Sequence, residues 1–98
     1  MEKLDPGKRA YLRELAQHLK PVIQVGKNGI TESLLQAVDE ALDFHELIKV
    51  KFMAFKEERK QLSAEIAGTT KSEIAALIGN IVILYREQKD PEKRKIIF

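Results

Sequence analysis

Apolar and polar positions along the chain alternate between helical and extended spacing. Leu12, Leu15, Ala16 and Leu19 recur at helical spacing and form one apolar stripe. Asp5-Pro6 stands before them: aspartate accepts from the free N–H groups of a first turn, and proline fits the first helical position. Lys20-Pro21 predicts the end of this helix, because the residue before proline is pushed out of the helical region. Lys8, Arg9 and Arg13 fall off the stripe and are expected in solvent. Val22, Ile23 and Val25 then predict a short β-branched strand, broken by Gly26-Lys27-Asn28-Gly29. Thr31 is the expected cap of a second helix, with Glu32 in its first turn. Leu34, Leu35, Val38, Ala41 and Leu42 give that helix a buried face. Asp39, Glu40 and Asp43 lie off it, and it is expected to stop near Phe44-His45.

From Leu47 to Phe52 the period changes to two. Ile48, Val50 and Phe52 point one way and Lys49 and Lys51 the other, so one sheet face is buried and the other carries cations. A third helix is expected from Glu57 to Ala67, with Leu62 and Ile66 inward and Gly68 closing it; its cap is not obvious. Residues 72–79 are open to two assignments. Ser72 to Ile78 has helix propensity, yet Gly79-Asn80 is a good two-residue hairpin turn into a strand from Ile81 to Tyr85. The hairpin requires Ile74 to Ile78 to be its partner strand despite the alanines. The tail from Glu87 to Lys95 is charged and expected to be mobile, with Ile96-Ile97-Phe98 docking as a last short strand. Alternating helices and strands predict a single α/β domain: a small sheet with helices on one face, a core over about residues 5–86 and a charged tail over 87–98.

The chain has 98 residues, 44% of them hydrophobic and 33% charged, which suits one globular domain and not a disordered chain. It has no cysteine, so disulfides, thiolate chemistry and cysteine-based metal sites are excluded. The N-terminus lacks the apolar run of a signal peptide, and Ile81 to Tyr85 is far too short to span a bilayer. A soluble cytoplasmic protein is expected. Net charge is only +2, but it is unevenly placed. Residues 1–29 hold six basic and three acidic side chains, residues 30–48 five acidic and none basic, and residues 49–60 five basic and two acidic. A fold that gathers the basic blocks on one face would attract phosphate; otherwise the charges are an ordinary solvated surface.

Catalytic chemistry is not indicated. His18 and His45 have no metal-ligand or acid–base companion at motif spacing, and no nucleophile elbow or nucleotide-binding glycine fingerprint occurs. The carboxylates of residues 39–46 sit on an expected solvated helix face. Neither an enzyme nor a cofactor is expected. The glycine loop is the suggestive feature. Its two glycines permit a tight turn and close backbone approach, Lys27 and Asn28 supply a cation and an amide, and a helix N-terminus follows. Such a loop suits a sugar–phosphate backbone, although two glycines three apart also make a plain strand-to-helix turn.

Taken together, several segments carry a resemblance: Leu19-Lys20-Pro21-Val22, Val25-Gly26-Lys27-Asn28-Gly29-Ile30-Thr31-Glu32, His45-Glu46-Leu47-Ile48-Lys49-Val50-Lys51, Ile78-Gly79 and Leu84-Tyr85-Arg86. In this order they resemble the CRM domain in its stand-alone bacterial YhbY-like form, over about residues 8 to 86. The resemblance implies a four-stranded mixed sheet with three helices in the order α-β-α-β-α-β-β, similar to the C-terminal domain of translation initiation factor three. It thereby favours the hairpin for residues 74–78. It implies RNA as partner, specifically precursors of the large ribosomal subunit, and no membrane or small-molecule substrate; a monomer is expected. Carried over by position, Gly26, Lys27, Asn28 and Gly29 match the family's loop, Lys49 and Lys51 its basic strand, and Arg86 its terminal Leu-Tyr-Arg. Lys8, Arg9, Lys20, Lys27, Lys49, Lys51 and Arg86 are expected to include most of one continuous basic face, away from Asp39, Glu40 and Asp43. The alternative is a protein-interaction module whose basic surface meets an acidic protein.

Overall fold

The computed structural model describes residues 4–98. Asp5 caps the first helix, α1 (Pro6–Ala16), its carboxylate accepting from the Lys8 N–H at 2.8 Å. The chain leaves the helix before Pro21, in a turn closed by the Leu19 N–H on the Ala16 carbonyl. Leu12 and Ala16 are therefore the buried part of the expected stripe, and Leu15 and Leu19 are exposed. Strand β1 (Ile23–Val25) follows. Thr31 caps α2 (Glu32–His45), accepting from the Leu34 N–H at 3.1 Å. Then come β2 (Leu47–Phe52), α3 (Arg59–Thr70), β3 (Glu73–Ile78) and β4 (Ile81–Tyr85). The hairpin is thus formed, with Gly79 at φ 57° in its turn, where glycine carries no Cβ penalty.

The four strands lie in the order β1-β2-β4-β3, with β1 parallel to β2 and the other pairs antiparallel. Helices cover both faces, not one. On the first face α2 and α3 pack Val38, Leu42 and Ile66 against Val25, Ile48, Val50, Phe52, Val82 and Leu84. On the second, α1 buries Leu12 and Ala16 against Leu47, Ala75, Ile83 and Tyr85. The second face of β2 is therefore apolar where it starts and cationic only towards Lys49 and Lys51. A bulge explains the ambiguity of residues 72–79. The β3–β4 register slips between Ile74 and Ala76, which adds one residue to β3. Ile74 and Leu77, three apart like helix neighbours, consequently both pack on the α2–α3 core, while Ala75 and Ala76 belong to the α1 side.

Two boundaries differ from expectation. Helix α3 runs through Gly68 to Thr70 and is closed by Lys71 in the left-handed conformation, its N–H on the Ala67 carbonyl. The Thr70 hydroxyl donates to the Ile66 carbonyl at 2.8 Å and meets Ser72 Oγ at 2.9 Å, which prolongs the helix past the glycine. The tail forms no strand. It makes a 3-10 turn at Pro91–Lys93 and folds back along Glu46. Glu46, expected in solvent, is buried: its carboxylate accepts from the backbone N–H groups of Gln88, Lys95 and Ile96. Phe98 then sets its ring edge-on to Tyr85 and Tyr11, with centroids 5.6 and 5.9 Å away. No helix among the described residues is long and apolar enough to cross a membrane.

Two predictions test this packing. A Cβ on Gly68 would meet nothing within 4 Å, so Gly68→Ala is expected to stabilise the fold by about 0.5–1 kcal/mol through helix propensity. A higher urea midpoint at unchanged slope is the check; an unchanged or lower midpoint refutes it. The Tyr85 hydroxyl is buried with no hydrogen-bond partner among the described residues. Burial, with the negative charges of Glu46 and Glu87 adding to it, pushes its pKa up to about 12 from 10. The folded state thus holds this proton more tightly than the unfolded chain does. The contribution is complete below pH 10 and is lost as pH rises towards 12. Tyr85→Phe is expected to flatten the fall of melting temperature over that window; a fall as steep as wild type would count against it.

Candidate nucleic-acid interface

Parallel pairing brings the C-terminal ends of β1 and β2 to one end of the sheet. The Met53 and Ala54 N–H groups both donate to the Val25 carbonyl, at 2.9 and 3.2 Å. The β3–β4 turn joins them there, the Asn80 carbonyl accepting from the Phe52 N–H at 2.7 Å. The glycine loop leaves β1 at this end. The Gly26 carbonyl accepts from the Gly29 N–H at 3.0 Å, so Gly26 and Gly29 bracket a hydrogen-bonded turn with Lys27 and Asn28 at its corners, both exposed. Gly29 is at φ 69°, where other side chains are strained, and a Cβ there would lie 3.4 Å from the Phe55 ring. Gly26 has open space around its α-carbon. Beside the turn lies an open groove of about 430 Å³, lined by Gln24, the loop and the first turn of α2. First-turn amides ahead of Leu34 have no intrahelical acceptor. The groove can therefore offer a cation, an amide and backbone N–H donors to an anion, with no side chain at Gly26 to hold it off.

On the α1 side of the sheet the cations of β2 meet a second depression, lined by Arg13, Gln17, Lys49, Ile78, Ile81 and Ile83. Lys49 is half-buried and its ammonium donates to the Leu19 carbonyl at 3.0 Å, which ties the end of the α1–β1 connection, next to Lys20, to the sheet. Lys51 is paired in register with Gln24 on one side and Ile81 on the other. It thus stands between the glycine loop and the Arg13–Lys49 depression. Arg13 on α1, Gln17 at its C-cap and Gln24, the middle residue of β1, are additions to the expected set. Strand alternation was the available signal for Gln24, since Ile23 and Val25 both face the core.

Three expected members are placed elsewhere. Arg86 is the clearest correction. Its guanidinium lies between Asp39 (2.6 Å) and Asp43 (2.8 Å) and also donates to the Thr70 and Asp39 carbonyls. Its side chain is 15% exposed. The cause is alternation: Arg86 shares the parity of Val82 and Leu84, which face α2 and α3, whereas Lys49 pairs with Ile83 on the α1 face. Lys8 precedes Leu12 by one turn, so it lies on the buried stripe and not off it. It is half-buried, with its ammonium 5.2 Å from the centre of the Phe98 ring. Arg9 is exposed in the same first turn of α1, at the Tyr85 end of the sheet, away from the glycine loop. Arg86, Lys8 and Arg9 therefore stand apart from Lys27, Lys49 and Lys51.

Among the described residues, no three His, Asp or Glu side chains converge as a metal site would require. A family model for the CRS1/YhbY (CRM) domain matches residues 4–86. A Haemophilus influenzae protein named "RNA-binding protein" is 41% identical over 91 residues, covering 92% of each chain. The Bacillus subtilis "Probable RNA-binding protein YqeI" is 39% identical, covering 84% of this chain and 86% of its own. The solution structure of a Staphylococcus aureus protein superposes with a TM-score of 0.81 at 33% identity, over 96% of this chain and 99% of that one. With the family model spanning residues 4–86 and the relatives and the solved structure covered nearly end to end, the chain belongs to the CRS1/YhbY (CRM) domain family.

Proposed function

We propose that the protein binds RNA through its sugar–phosphate backbone and serves in the cytoplasm, as a monomer, on precursors of the large ribosomal subunit. The observation that carries the backbone contact is the hydrogen-bonded Gly26–Gly29 turn with exposed Lys27 and Asn28, set beside Lys51 at the C-terminal end of the parallel strands. Open α/β sheets place ligands outside the carboxyl ends of their strands. Relatives named as RNA-binding proteins support the polymer; the resemblance to the stand-alone bacterial form supports the ribosomal precursor. The contact set is Gly26, Lys27, Asn28 and Gly29 with Lys20, Lys49 and Lys51, joined by Arg13, Gln17 and Gln24. It acts by positioning and electrostatics and includes no catalytic group. A protein-interaction module is the competing reading; it predicts that purified protein carries no salt-removable or ribonuclease-sensitive 260 nm absorbance.

Two further predictions separate the loop from the ion pair. Phosphate contacts release counterions, so affinity for large-subunit ribosomal RNA is expected to fall with salt, with a log–log slope of about −0.7 per phosphate neutralised on single strands. Lys27→Ala should weaken all RNAs alike and make the slope shallower by about one contact. Gly29→Val should weaken binding further, because a β-branched side chain is strained at a positive φ and its bulk holds the RNA backbone off the loop. With circular dichroism as the folding control, unchanged affinity and slope in both variants would reduce the loop to a turn. Arg86→Ala is expected to do the reverse: stability falls by about 1–3 kcal/mol as charged hydrogen bonds are lost, while the salt slope stays as in wild type. A shallower slope in Arg86→Ala would return this residue to the RNA contact.

A further inference from the structure

The segment between β2 and α3 presents an aromatic ring that neither core cluster takes up. Phe55 is 41% exposed, and its backbone stands at φ 55°, in the left-handed region that disfavours bulky residues. Among the described residues two other non-glycine residues share such a φ, and each has a structural reason: Glu46 closes α2 and Lys71 closes α3, their N–H groups on helix carbonyls. Phe55 closes no helix. Its conformation turns the ring towards the glycine loop, so that Cε2 and Cζ lie 3.4 and 3.7 Å from the position of a Cβ on Gly29. The ring also lines an open depression of about 400 Å³ with Gly29, Ile30, Glu58, Leu62 and Glu65. Gly29 thus belongs to two neighbouring concavities: the polar groove by Lys27 and this apolar one with two carboxylates.

We propose that this second depression takes one unpaired nucleobase of the bound RNA, stacked on Phe55, while the backbone of the same nucleotide lies on the glycine loop. This inference rests on the backbone-binding reading and deepens it. The two concavities differ in charge in the way that phosphate and base differ. Glu58 and Glu65 repel a phosphate, so the backbone stays on the Lys27 side. A base is flat and neutral, suits the apolar surface of Phe55, Ile30 and Leu62, and offers N–H donors to the carboxylates. Unpaired bases stack on exposed aromatic side chains in other single-strand binders, and removal of such a ring costs about tenfold or more in affinity.

The chain contains no tryptophan, so Phe55→Trp installs a single indole at the site, which can be excited selectively over the two tyrosines. The probes are a twelve-nucleotide oligocytidylate and a ribose-phosphate oligomer of the same length without bases. Wild type is expected to bind the oligocytidylate about tenfold more tightly than the abasic oligomer at equal salt. Phe55→Trp should keep that preference and be quenched by the oligocytidylate alone. Phe55→Leu, apolar but unable to stack, should bind both oligomers about equally, with circular dichroism confirming its fold. A wild-type protein that binds both oligomers alike with a steep salt slope would overturn the stacking site and leave the backbone clamp standing. A Phe55→Leu variant that keeps the preference would also overturn it, since the ring would then only prop the loop. Binding of neither oligomer by wild type, even at low salt, would remove the RNA-binding reading itself.

Discussion

Two parallel neighbouring strands cannot be joined by a tight turn, and the pairing of β1 with β2 sets the rest of the architecture. The connection has to cross the sheet, and α2 is that crossing, packed on the face formed by Val25, Ile48, Val50 and Phe52. Because both strands run the same way, the loops that leave them emerge side by side. The glycine turn and the Phe55 segment are neighbours for this reason, although nearly thirty positions separate them in sequence. The antiparallel β4 starts at the same end and brings the Asn80 carbonyl to Phe52. Candidate chemistry gathers there because backbone geometry leaves three connections at one edge and none of them under a helix.

Most of the fold was legible in local pattern. Strand β2 and the first turns of α1 and α2 follow from period and caps that act within a few residues: Asp5 on Lys8, Thr31 on Leu34. What was not legible came from places where a local rule met a long-range demand. The bulge in β3 gave a strand the apolar spacing of a helix, and its alanines, poor strand formers, lie where α1 packs on the sheet. The two-sided cover was hidden for a related reason. Lys49 and Lys51 mark the second face of β2 as polar, and only the edge-most residue of that face, Leu47, is buried under α1.

The candidate site shows the same division. The glycine turn was readable because its requirement, a positive φ at Gly29, is a property of one residue. The grouping of the other basic side chains was not, because beyond Lys49 and Lys51 it was drawn from blocks of sequence and not from parity. Arg86 and Lys8 each carried the relevant signal, one by strand alternation with Leu84 and the other by its one-turn offset from Leu12. Glu46 carried no such signal. A buried carboxylate is tolerated here because backbone N–H groups of three residues more than forty positions later converge on it, and nothing near Glu46 in sequence announces them.

That convergence fixes where the chain ends. Held by Glu46, the last residues run to Tyr85, and Phe98 comes to rest beside Tyr11 and under the ammonium of Lys8. Tyr85 pairs with Leu47, the first residue of β2, whereas the glycine turn lies beyond the last. A fluorophore attached at position 98 would therefore stand at the opposite pole of the sheet from Lys27. It would leave the turn unobstructed and report distance across the length of the sheet.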